Sequence, residues 1–72
     1  MPGLSDHARR RMAERRITQA NIDAALRRTT GPPRPGDSGN IVVFGYGEAG
    51  RILKVVLTSD RQVVVSVMWV ED

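Results

Sequence analysis

The apolar residues change rhythm once along the chain. Up to about residue 28 they recur at helical spacing, and from about residue 40 they crowd or alternate in short runs, as strands do. Ser5 precedes the first helical stretch, where its hydroxyl can accept from amides of the next turn while Asp6 complements the helix dipole. This predicts a helix over about residues 5–15. After a break at Arg16-Ile17, Thr18 caps a second helix over about 18–28, and Ile17 and Ile22 occupy the two positions of a hydrophobic staple across that cap. Ile22, Ala25 and Leu26 form one apolar stripe, so the second helix must pack on something, with Asp23 and Arg27 paired one turn apart on its outer side.

Residues 29–39 carry three prolines and three glycines with no periodicity, and read as a mobile, partly extended loop. Strands are predicted over about 40–46, 51–58 and 62–70, rich in Val and Ile and bounded by turn residues. Gly47-Glu48-Ala49-Gly50 and Ser59-Asp60-Arg61 are connections too short for anything but antiparallel neighbours. Alternation puts Leu53, Val55 and Leu57 on one side of the middle strand, and Ile52, Lys54, Val56 and Thr58 on the other. In the last strand Val63, Val65 and Val67 are expected to join Leu53, Val55 and Leu57 on the helix-covered face. The expected architecture is α+β, two N-terminal helices packed on a three-stranded antiparallel β-meander. The second face of that sheet is also largely apolar, which points to a partner or a homodimer contact there.

Length and composition narrow the field further. Seventy-two residues make one domain, 1–72, and 40% apolar with 26% charged residues is globular rather than disordered composition. With only Phe44, Tyr46 and Trp69 as aromatics the core must be aliphatic and thin, and a core that small gains from pairing with a second chain. There is no cysteine and a single histidine, so neither a disulfide framework nor a thiolate or His-rich metal site is expected, and no cofactor is called for. The longest apolar runs, such as Ile41 to Phe44, fall far short of the roughly 20 residues that span a bilayer. The N-terminus lacks a signal-peptide pattern. The expectation is a soluble cytoplasmic protein with no membrane partner.

Charge is unevenly spread. Of the net +3, residues 1–28 hold seven arginines against Asp6, Glu14 and Asp23, whereas residues 29–72 are slightly acidic. A basic N-terminal third suggests a polyanionic partner, and Arg9, Arg10, Arg15 and Arg16 are the candidate nucleic-acid contacts. On a helical wheel Leu4, Ala8 and Met12 centre the apolar face and His7 and Arg11, one turn apart, border it. Arg15 projects towards the apolar side, where its fork can also bind strand or loop carbonyls. From their border position His7 and Arg11 would overlook the sheet edge, where Lys54, Ser66 or Tyr46 could meet them. The helix N-terminus and Arg11 would both favour a neutral His7, as a general base requires, and Arg11 offers a planar fork for phosphate. Such a set could activate a ribose 2′-hydroxyl without a metal. The plainer reading of the same residues is a helix cap and a solvated basic face.

His7-Ala8, Arg11-Met12 and Arg15-Arg16-Ile17-Thr18, in that order and spacing, resemble the opening of the bacterial domain-of-unknown-function family 4258. Arg51-Ile-Leu-Lys-Val-Val and Val63-Val-Val-Ser-Val resemble its later strands, and Arg16 stands where members usually carry glycine. That family is grouped with the RelE-like and barnase-like ribonuclease toxins. The resemblance therefore implies a fold RelE-like in outline and metal-independent RNA cleavage under the control of an antitoxin. His7 would serve as base, Arg11 would hold the phosphate, and Lys54 or Tyr46 would be the acid, with Ser66 nearby. Two other functions fit the residues: a non-catalytic nucleic-acid-binding module, with two helices and a sheet as wing, and a protein-interaction module that pairs through its sheet.

Overall fold

The computed structural model describes residues 2–70. Its elements are β1 (Gly3–Leu4), α1 (Asp6–Arg15), α2 (Gln19–Arg27), β2 (Arg34–Pro35), a single 3₁₀ turn (Asp37–Gly39), β3 (Ile41–Tyr46), β4 (Ile52–Leu57) and β5 (Val63–Trp69). The helices begin at the expected caps. Ser5 Oγ accepts from Ala8 N, and Thr18 Oγ1 accepts from Asn21 N. Ile17 and Ile22, the staple positions, are both buried. α1 ends with Arg16 in the left-handed region at φ 56°, and Met12 O accepts from both Arg16 N and Ile17 N. Glycine is the residue that adopts this conformation without steric cost, so Arg16 holds it at a penalty.

The sheet has five strands in the order β1-β5-β4-β3-β2, and this corrects the expected three-stranded meander. β3, β4 and β5 do form antiparallel hairpins. To them are added β1, parallel to β5 through Gly3↔Val63 and Leu4↔Val64, and β2, antiparallel to β3 through Arg34↔Val42 and Pro35↔Ile41. The sheet is therefore mixed and the class remains α+β. Two-residue strands have no internal periodicity to betray them. β2 also contains a proline, which lacks the amide a central strand must donate and is tolerated only at an edge.

Both helices lie on one face of this sheet. Ala8 of α1 and Ile22 and Ala25 of α2 join Val43, Leu53, Val55, Leu57, Val64 and Val67 in a single buried cluster, which also takes in Ile17. The middle strand follows the expected alternation; the last does not. Between Val56 and Leu57 the register slips, so that Val56 opposes Ser66 while Leu57 opposes Val64. The bulge leaves Val65 as the extra residue and puts Val64, rather than Val63 and Val65, into the core with Val67. Ser5 uses the site: its amide donates to Val64 O at 3.0 Å and its hydroxyl to Val65 O at 3.0 Å. One residue thereby caps α1 and fastens it to β5.

On the other side of the molecule α2 comes unusually close to β3. A β-carbon built on Gly45 would lie 2.0 Å from Ala25 O. Past α2 the chain turns along the outer edge of β3: Tyr46 N donates to Arg28 O at 3.0 Å and Thr30 N to Phe44 O at 2.8 Å. The Pro/Gly segment is thus tied to β3 at both ends, by Arg28–Thr30 and by β2.

Candidate nucleic-acid interface

Cross-strand partners share a face of a sheet, so the register divides the candidate residues. Lys54 lies between Phe44 and Met68, Ser66 opposes Val56, and Tyr46 opposes Ile52. All of these lie on the face away from the helices, because their neighbours in sequence, Leu53, Val55 and Val67, are the buried ones. His7 and Arg11 belong to α1, which packs on β5 from the helical side. The structure brings Lys54, Tyr46 and Ser66 to one surface and puts His7 and Arg11 beyond the sheet from it. The expected meeting of the two groups at the sheet edge is not made.

Each of the α1 residues has a distinct setting. His7 is exposed in the first turn. Arg11 is half-buried and ion-paired with Glu14 one turn on, an i,i+3 contact within its own helix. Arg15 is half-buried and donates from Nη1 to Val67 O at 3.3 Å, while its own carbonyl accepts from the Trp69 indole N–H at 2.9 Å. Arg15 is therefore a strut between the end of α1 and β5. Arg9, Arg10 and Arg16 are exposed.

The helix-free face has its own electrostatics. Lys54 and Ser66 are half-buried among Val42, Phe44, Ile52 and Val56, and Tyr46 and Met68 are 38% and 40% exposed. No Asp or Glu lies in β2 to β5. Two arginines reach the face from the segment wrapped around β3. The Arg28 guanidinium carbon stands over the Tyr46 ring at 5.8 Å from its centroid, and that of Arg34 over the Phe44 ring at 5.9 Å. Beyond Tyr46 lies a hollow of about 280 Å³ bounded by Tyr46, Gly50, Arg51 and Ile52. The hairpin that shapes it is held to α2 by Asn21, whose Oδ1 accepts from Glu48 N at 2.9 Å.

Sequence reasoning passed over Phe44, Arg28 and Arg34. Two aromatics at i and i+2 of a strand were the available signal for the rings. The arginines had none, since they reach the face only through edge pairing.

Over residues 4–69 the sequence matches a family described as a domain of unknown function (DUF4258). The chain belongs to this family. Comparison with curated proteins and with solved structures finds no match. The DUF4258 match takes in both helices and the sheet, so it covers α1 with His7 and Arg11 as well as the aromatic face. Among the described residues no helix is long and apolar enough to cross a membrane.

Proposed function

We propose that this DUF4258 chain is a small, non-catalytic RNA-binding module that holds RNA on the helix-free face of its sheet. One observation carries the reading: Lys54, Arg28 and Arg34 converge there on Phe44 and Tyr46, and no acidic residue lies in the strands that form it. Cations with aromatic faces are what single-stranded nucleic acid asks of a sheet. The exposed arginines of α1 supply a second, diffuse positive field from the other side.

Cleavage, the expectation that came with grouping the family among RelE-like toxins, has less support. A base at His7 and an acid at Lys54 or Tyr46 would have to act on one phosphate through the thickness of the sheet. A ribonuclease reading therefore rests on His7 and Arg11 alone. Exposure of Met68 and Tyr46 favours one further occupant of the face, a protein, whether an antitoxin or a second copy of the chain.

The test is anisotropy of a labelled RNA with increasing salt, with product ends read by mass after incubation in chelator. Expected are binding that weakens with salt, loss of affinity in Lys54→Ala, and intact RNA. Cyclic 2′,3′-phosphate ends that disappear in His7→Ala would restore the catalytic reading. Undiminished binding in Lys54→Ala would move the RNA to α1. A dimer by sedimentation, with no RNA bound, would assign the face to protein.

A further inference from the structure

Three arginine–aromatic pairs stand among the described residues, and they are not alike. The Arg51 guanidinium carbon sits over the Trp69 ring at 4.2 Å from its centroid, the tight pair of the three. Arg28 over Tyr46 and Arg34 over Phe44 stand wider, at 5.8 and 5.9 Å from carbon to centroid. A flat ring sandwiched between two flat partners needs them about 7 Å apart, twice a carbon contact distance. The guanidinium carbons of the two wider pairs stand about 1 Å closer to the ring centroids than that spacing. The arginines are exposed and belong to a segment anchored by its backbone, so their side chains can move by that much without disturbing the sheet.

The spacing of the two pairs along β3 matters as well. Phe44 and Tyr46 are i and i+2 on one face of β3, about 7 Å apart. This is about twice the 3.4 Å step of a stacked strand, so neighbouring bases can occupy both gaps only if they unstack. Lys54, the cross-strand partner of Phe44, stands on the same face with a cation for the intervening backbone.

We propose that the Arg28–Tyr46 and Arg34–Phe44 pairs are two base-sandwich slots that take two adjacent, splayed nucleotides of single-stranded RNA. This rests on the RNA-binding reading above and adds which part of the RNA is gripped. Bases locked in a duplex cannot enter the slots. Because every base has a π-face, the slots are tolerant of sequence. The hollow beside Tyr46 leaves space for the chain to continue past the second base.

The experiment uses the full chain and a hexamer of uridine carrying 2-aminopurine at one internal position, whose fluorescence reports stacking. Tyr46→Leu and Phe44→Leu keep apolar bulk while removing the ring, and Arg28→Lys and Arg34→Lys keep charge while removing the plane. Trp69 fluorescence confirms that each variant is folded. Expected are a fluorescence change on binding, a roughly five- to hundredfold loss of affinity for each Leu variant, and a smaller loss for each Lys variant with an unchanged salt slope. Duplex RNA of equal length should fail to compete. Wild-type affinity in folded Leu variants, or equal affinity for duplex, overturns the slots while leaving RNA binding in place. Absence of any RNA binding by the wild-type chain overturns both.

Discussion

Replacing Gly45 by alanine tests how tightly α2 is seated on the sheet. The added β-carbon would meet the backbone of Ala25 at 2.0 Å from its oxygen, 2.7 Å from its carbonyl carbon and 2.9 Å from its Cα. None of these is the end of a flexible side chain, so no rotamer change relieves the clash. Ordinary contact begins near 3.4 Å, and α2 must therefore lift from β3 by about 1.4 Å. A gap of 0.5–1 Å already forfeits roughly a quarter to a half of a dispersion well, and Ile22 and Ala25 would lose such contacts with Val43, Leu53 and Val55. Overpacking a core typically costs about 1–3 kcal/mol, and a clash with backbone belongs at the top of that range. The smaller entropy lost by alanine on folding returns up to about 1 kcal/mol. A net loss of about 2–3 kcal/mol is expected, out of about 4–11 kcal/mol for a chain of this size. Urea unfolding followed by Trp69 fluorescence and far-ultraviolet dichroism reads it as a midpoint lowered by about 1–3 M. Gly31→Ala is the control, because nothing lies within 4 Å of its added carbon. If Gly45→Ala unfolds within about 0.5 kcal/mol of the parent, the close approach of α2 to β3 is wrong.

Arg16→Gly should stabilise the protein by about 1 kcal/mol, the left-handed penalty of an L-residue less the entropy of glycine, and raise the thermal midpoint by about 4–8 °C; an unchanged or lower midpoint in a thermal melt refutes it. Ser5→Ala loses both the cap to Ala8 N and the bond to Val65 O, and should cost about 1–2 kcal/mol in urea. Ser5→Asp, which can cap but not donate, should recover only part of that. The Thr58 hydroxyl first, and the Gln62 amide second, hold the Asp60 carboxyl below its ordinary value. A group depressed in the folded state stabilises above its unfolded value of about 4 and ceases to as pH falls through the lower folded one. Asp60→Asn should therefore shift the urea midpoint at pH 6 more than at pH 2, and equal shifts at both would contradict this.

The local parts of the fold were legible because their causes are local. Ser5 and Thr18 announce helix starts by their own hydrogen-bonding chemistry, and the hairpin turns at Gly47–Gly50 and Ser59–Arg61 leave their strands no choice of direction. β1 and β2 escaped because each exists only through its partner strand. The register of β5 escaped for a different reason. A Val63-Val64-Val65 run has no alternation to violate, so nothing in it tells which valine a bulge will turn inward. The site was half visible. The alternation of β4 already set Lys54 with Ile52 and Val56, opposite the residues assigned to the helices, which was enough to part it from His7. What no pattern within one element conveys is that the chain after α2 carries Arg28 and Arg34 around the edge of β3.

The pairing of β1 with β5 joins residues sixty positions apart, Gly3 with Val63 and Leu4 with Val64. A ribosome adding about 5–20 residues per second emits both helices seconds before the strand that receives Gly3 and Leu4 exists. During that interval the Ser5 hydroxyl has no Val65 carbonyl to reach, and α1 lacks the strand on which it packs. Once β5 emerges, its outer edge is open until Ser5 and Arg15 fill the acceptors of Val64, Val65 and Val67. An open edge is what recruits strands from other chains. The vulnerable interval is therefore the one between the emergence of β5 and the closing of its edge by the waiting N-terminal segment.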